Sequence, residues 1–114
     1  MNLTELTTGL KLSGSLGDRV QAFLRHHDCP KTALHCADVA AKAHELALQC
    51  GADAQAAEAG GWIHDASAIF PAAERVQVAQ QLGVDVLPEE AAFPMIIHQK
   101  LSVVLGREIF GVTD

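Results

Sequence analysis

The chain has 114 residues, 49% of them hydrophobic, and its eight lysines and arginines against fourteen aspartates and glutamates give a formal net charge of −6. That is the length of one domain with a hydrophobic core of its own. The acidic balance and the absence of a basic block speak against a nucleic-acid backbone as the main partner, and no apolar run approaches the roughly 18 to 20 residues of a membrane span. The opening Met1-Asn2-Leu3-Thr4-Glu5 lacks a basic start followed by an apolar block, so a cytoplasmic protein is expected. Cys29, Cys36 and Cys50 form no C-x-x-C pair and leave one thiol over in any disulfide scheme, which fits a reducing compartment.

In chain order, residues 1–15 read as a polar arm, with Leu6, Leu10 and Leu12 too loosely spaced for a regular element. From Leu16, the set Leu16, Val20, Phe23 and Leu24 keeps helical spacing until Asp28-Cys29-Pro30 ends it. A long alanine-rich helix follows from Lys31 to about Gln49, with Gly51 as its stop. Asp53 is suited to cap a third helix from Ala54 to about Asp65. Pro71 fits a first helical position, and Val76, Val78, Ala79 and Leu82 carry a fourth helix over 72–82, stopped by Gly83. Gly83 to Pro88 reads as a connector and Pro88-Glu89-Glu90-Ala91-Ala92 as one short turn broken by Pro94. Met95 to Phe110 reads as a last amphipathic helix closed by Gly111. Val112-Thr113-Asp114 then resembles the approach to a further helix cap. No strand pair or repeat is visible, and the expected class is all-α.

The chemistry concentrates at Gly60-Gly61-Trp62-Ile63-His64-Asp65. An imidazole and a carboxylate can both ligate a divalent ion, but helix neighbours diverge by about 100°. Both reach one ion only if the helix ends there, as Ser67 and Pro71 imply. Each glycine inside a helix costs about 1 kcal/mol relative to alanine, so the pair predicts another backbone very close by.

Upstream, His35 lies between Ala33 and Ala37, and an imidazole on a packing helix needs a hydrogen-bond or metal partner. Asp38, three residues on, is placed to orient it; the plainer alternative is a partly exposed histidine beside a surface carboxylate. His98 follows Met95-Ile96-Ile97 and, taken alone, fits a satisfied core histidine equally well. His26, His27 and His44 sit among Arg25, Asp28 and Glu45 and read as solvated. Ser67 lacks the surroundings of a nucleophile elbow. Trp62 and Phe70 read as core anchors.

A helical histidine followed by His-Asp at the end of a later helix resembles the HD-domain metal-dependent phosphohydrolases. The resemblance rests on Lys31-Thr32-Ala33-Leu34-His35-Cys36-Ala37-Asp38-Val39-Ala40, on Gly61-Trp62-Ile63-His64-Asp65, and on Ile97-His98 through Phe110-Gly111-Val112, in the family's order. It spans about residues 18–114 and is nearest to the YqeK branch, which is linked to symmetrical hydrolysis of diadenosine tetraphosphate. It implies an HD-like bundle of about five helices, with His35, His64 and Asp65 as metal ligands and His98 at a second metal position. His64 and Asp65 would be the catalytic pair and Asp38 a supporting group. The cofactor implied is a divalent metal, iron, manganese, zinc or magnesium, and the ligand a nucleotide or other phosphorylated small molecule.

Two departures modify the expectation. The lysine that follows the His-Asp pair in that branch is Ala68 here, which removes a phosphate contact. The family also continues into helices bearing another histidine and a final aspartate, so 16–114 is expected to be a partial, C-terminally truncated HD domain with at most four ligands. Uncovered apolar surface then implies a homo-oligomer. The alternative function is a catalytically inactive HD-like module that binds a ligand or partner.

Overall fold

The first helix starts because Ser15 and Asp18 cap it reciprocally: the Ser15 hydroxyl accepts from the Asp18 N–H at 3.1 Å and the Asp18 carboxylate from the Ser15 N–H at 3.2 Å. In a computed structural model, which describes residues 3–88 and 97–112, this helix, α1, spans Leu16–His26 and buries Val20, Phe23 and Leu24 completely. Helix α2 is Pro30–Cys50, with proline in its first turn and Gly51 in the left-handed conformation (φ 74°) as its stop. Helix α3 is Ala54–Ile63, capped by Asp53, whose carboxylate accepts from the Gln55 and Ala56 N–H groups at 3.1 Å. Helices α4, Arg75–Gln81, and α5, His98–Glu108, follow and complete the α-helices of the described residues. No strand occurs among the described residues, so the class is all-α. None of these helices is long and apolar enough to cross a membrane.

The large side chains of the core come mainly from α1 and α5, with Phe23, Leu24, Leu101 and Leu105 fully buried beside Ile97. Helix α2 contributes little bulk. Its buried positions are Ala33, Cys36, Ala40 and Ala47, while Leu34, Leu46 and Leu48 are exposed. A face made of such small residues lets a neighbouring backbone approach closely. At Gly61 it does: a Cβ there would lie 2.7 Å from the Ala40 Cα. Two more glycines fix α3 from other sides. Gly17 on α1 leaves room for the Trp62 ring, and Gly106 on α5 for the Ile63 side chain. Gly60 does not share this role, because a Cβ there would meet nothing within 4 Å. The expectation of a close backbone therefore holds for Gly61 and fails for Gly60.

Three further expectations are revised. Residues 1–15 are not a plain arm: Leu3–Thr7 forms a short 3-10 helix, Leu6 is buried, and Leu3, Leu10 and Leu12 pack against the core. His27 is not simply solvated, since its Nε2 lies 2.6 Å from the Leu6 carbonyl oxygen and holds that segment down. The fourth helix is shorter than 72–82. Pro71 leads instead into a 3-10 turn, Ala72–Glu74, closed by Glu74 N–H to Pro71 O at 2.9 Å, before α4 begins. The short turn assigned to Pro88–Ala92, apart from Pro88 itself, the break at Pro94, the start at Met95 and the cap assigned to Thr113 or Asp114 lie outside the described residues.

The two adjacent glycines make opposite predictions. Gly60→Ala should stabilise the fold by about 0.5–1 kcal/mol by removing a helix-interior glycine, whereas Gly61→Ala should destabilise it by about 1–3 kcal/mol through collision with α2. Denaturant midpoints of the two variants check this, and equal shifts of one sign would contradict it.

Candidate metal centre

Helix α3 ends at Ile63, and the two residues after it change the direction of the chain. His64 keeps a helical backbone (φ −58°, ψ −29°), but Asp65 leaves it (φ −117°, ψ 20°) and begins the 3-10 helix Ala66–Ile69. That turn is what lets adjacent side chains converge. Asp65 Oδ2 lies 3.2 Å from His64 Nε2 and 3.6 Å from His35 Nε2, the latter delivered by α2. Its other oxygen, Oδ1, is 4.0 Å from His98 Nε2 on the first turn of α5. One carboxylate thus sits among three imidazoles from three helical segments.

The spacing fits a shared cation. One donor atom from each of His35, His64 and Asp65 falls within a 4.8 Å group. Both short separations reach or exceed the upper limit of an aligned N–H···O hydrogen bond, about 2.7–3.2 Å. Ligand atoms each about 2.0–2.2 Å from a tetrahedral ion stand roughly 3.3–3.6 Å from one another. Tautomers agree with this. His64 Nδ1 is 2.6 Å from the Gly61 carbonyl, which can only accept, so Nδ1 carries a proton and a neutral ring has its lone pair on Nε2, the nitrogen 3.2 Å from Asp65 Oδ2. Gly61 therefore acts twice, through its missing side chain and through its carbonyl. The His35 and His64 rings lie 5.2 Å apart, tilted by 59°. His35 is the most open of the four, with 56% of its side chain exposed against about a third for His64, Asp65 and His98.

Two buried serines hold Asp65 against α5. Ser102 Oγ accepts from the Ser67 N–H at 3.1 Å and donates to Ser67 Oγ at 3.0 Å, and Ser67 Oγ donates to the His98 carbonyl at 2.8 Å. This chain ties the 3-10 helix to the residue that brings the third imidazole. Ser67 ties these segments together, whereas the sequence reading took it as a mark of the helix end and weighed it as a nucleophile. The readable signal was a hydroxyl in each of the apolar runs Ala66-Ser67-Ala68-Ile69 and Leu101-Ser102-Val103-Val104, since buried hydroxyls require partners.

Of the residues expected to form the site, His35, His64 and Asp65 come together and His98 stands beside them. Asp38 does not join: it is exposed, and among the described residues the carboxylate paired with His35 is Asp65. His44, read as solvated, contacts Glu58 on α3, with Nδ1 3.0 Å from Oε1 at ion-pair distance but outside hydrogen-bond alignment. Glu58 also accepts from the Trp62 indole N–H at 3.2 Å, so the three tie α2 to α3. Cys36, next to His35, is fully buried. Burial, and then the negative charge of Asp65, push its thiol up to about 11, with a hydrogen bond at the Asp65 backbone offsetting part of the rise. It is therefore a neutral thiol near pH 7, and it stands outside the group formed by His35, His64 and Asp65.

Comparison with known proteins gives one partial relative. The chain is 48% identical over 54 residues to a protein of Lactococcus lactis subsp. cremoris described as "Uncharacterized protein in pepC 5'region". The match covers 47% of this chain and 28% of the relative's length. No family model matches the chain, and no solved structure matches it.

Two outcomes follow from this geometry. Ser102→Ala removes a partner from a buried N–H and a buried hydroxyl, and should lower stability by about 1–3 kcal/mol, read as a drop in melting temperature; an unchanged melting point would show that the serine chain does not hold the site. The Cys36 pKa is raised in the folded state from its ordinary 9.0. Its contribution to stability is thus fully present below pH 9 and is lost as pH climbs towards 11. Unfolding free energy of the wild type should fall more steeply over that window than that of Cys36→Ala, and parallel curves would contradict it.

Proposed function

We propose that this chain is a divalent-metal-dependent phosphohydrolase of the HD type, acting on a nucleotide or another phosphorylated small molecule. The observation that carries the reading is the Asp65 carboxylate flanked by His35 and His64 Nε2, with His98 next to its second oxygen. Two neutral imidazoles and one carboxylate contribute a single negative charge, so a divalent ion held there keeps a net positive charge for phosphate oxygens. This reconciles an acidic chain with an anionic ligand. A borderline nitrogen and oxygen donor set suits zinc, iron or manganese better than magnesium. His35, His64 and Asp65 would hold the ion; it would polarise a phosphate oxygen and acidify water near neutral pH.

The chain's own groups supply the rest. The Gly61 carbonyl and the serine chain hold His64 and Asp65 in place before any ligand arrives, which limits the reorganisation needed on binding. His98, whose Nε2 is 4.0 Å from Asp65 Oδ1, would take a second metal position or hold a phosphate oxygen. The openness of His35 leaves an approach for a ligand from solvent. A cytoplasmic setting fits this chemistry and the unpaired thiols.

A second reading, a catalytically inactive HD-like module that binds a ligand or assembles as a homo-oligomer, is favoured by one observation. Leu34, Leu46 and Leu48 are exposed on α2 at 60%, 47% and 65%. Turnover separates the two.

Manganese or zinc should bind the purified chain in near-stoichiometric amount by calorimetry. His64→Ala and Asp65→Asn should each weaken binding by more than the about 10- to 100-fold that follows loss of an outer-shell partner, and abolish release of nucleoside diphosphate from a dinucleoside polyphosphate. Metal binding with no hydrolysis of any phosphate ester or anhydride would favour the second reading; no metal retention by the wild type would overturn the first.

A further inference from the structure

Gly60 is unexplained by packing. It sits in the interior of α3, where glycine costs helix stability, yet a side chain there would collide with nothing. What its missing side chain leaves open is a groove between α3 and α5. The groove is lined by Gly60, Ile63, His64, Gln99, Ser102 and Val103 and has a volume of about 320 Å3. Gly60 and His64 are four residues apart, on one face of the helix. His64 therefore belongs both to this groove and to the metal centre.

The lining indicates what the groove would hold. Ile63, the Gly60 backbone and Val103, which is 46% exposed, make it mainly apolar. The Ser102 hydroxyl is committed to Ser67, which leaves the exposed Gln99 amide as a group offering both a donor and an acceptor. The volume lies at the lower end of small-molecule sites, about 300–1,000 Å3, which suits one planar ring system. An uncharged, flat heterocycle with hydrogen-bonding edges matches such a lining; a second phosphate does not.

We propose that the α3–α5 groove seats the planar heterocyclic group of a ligand whose phosphate lies at the His35–His64–Asp65 centre, with Gly60 keeping the groove open. The proposal rests on the metal-centre reading for the position of the phosphate. The groove itself does not depend on that reading, so the two fail in different ways.

The test uses the full chain with and without manganese, and three probes: adenosine, ADP and inorganic pyrophosphate. Expected are ADP binding to the manganese form at least about tenfold tighter than pyrophosphate, and perturbation of groove resonances by adenosine even in the metal-free form. Gly60→Leu and Val103→Glu should remove both the ADP advantage and the adenosine response, with manganese stoichiometry and melting cooperativity unchanged. Manganese binding with ADP no tighter than pyrophosphate, or variants that bind ADP like the wild type, would overturn the groove and leave the metal centre standing. Adenosine binding that the two variants abolish, in a protein that takes up no manganese, would support the groove and overturn the metal reading.

Discussion

The close approach of α3 to α2 at Gly61 and Ala40 is the contact on which the arrangement of His35, His64 and Asp65 depends. With a would-be Cβ only 2.7 Å from the Ala40 Cα, no other residue fits at Gly61 without displacing a backbone. The contact fixes the separation of the two helices, and hence how far His35 on one stands from His64 and Asp65 on the other. Trp62 over Gly17 and Ile63 over Gly106 extend the same device to α1 and α5. Helix α3 is short, yet it is held on three sides by small residues, so its C-terminal end is well placed to deliver a precise constellation. The leucines of α2 take no part in this, which is why so apolar a helix can leave three of them exposed.

At that end, backbone and side chains divide the labour. A helix carried through Asp65 would turn its carboxylate away from the His64 ring; the chain instead leaves α geometry at Asp65, and the two converge. The Gly61 carbonyl selects the tautomer of His64, and the serines between the 3-10 helix and α5 set His98 beside Asp65. Buried Cys36 stays a neutral thiol under the Asp65 charge and lies outside the group of His35, His64 and Asp65. The outcome is an arrangement of low net charge, open on the His35 side, in a protein that is acidic as a whole.

Much of this was legible in the sequence, for physical reasons that can be named. The described helices announce themselves through apolar spacing and through Asp53, Gly51 and Gly83 at their ends. The His64-Asp65 pair was readable because Pro71 forces the helix to stop nearby. Other features were invisible because they depend on tertiary contact. Periodicity alone cannot tell that Gly61 is pressed against α2 while Gly60 faces open space. Nor can it tell that Leu6 is buried when the leucines around it keep no regular spacing, or that the partner of His35 is Asp65, thirty positions away, rather than the nearby Asp38. The serine chain joins residues 35 positions apart, and only its apolar surroundings hinted that each hydroxyl had to find a partner.

The central claim is that His35, His64 and Asp65 form one cation site. Anomalous diffraction from crystals of the manganese-loaded protein tests it most directly. The expected result is an anomalous peak about 2.0–2.2 Å from His35 Nε2, His64 Nε2 and an Asp65 oxygen. A fully ordered centre with no peak, or a peak held by other side chains such as His26 and Asp28, would contradict it.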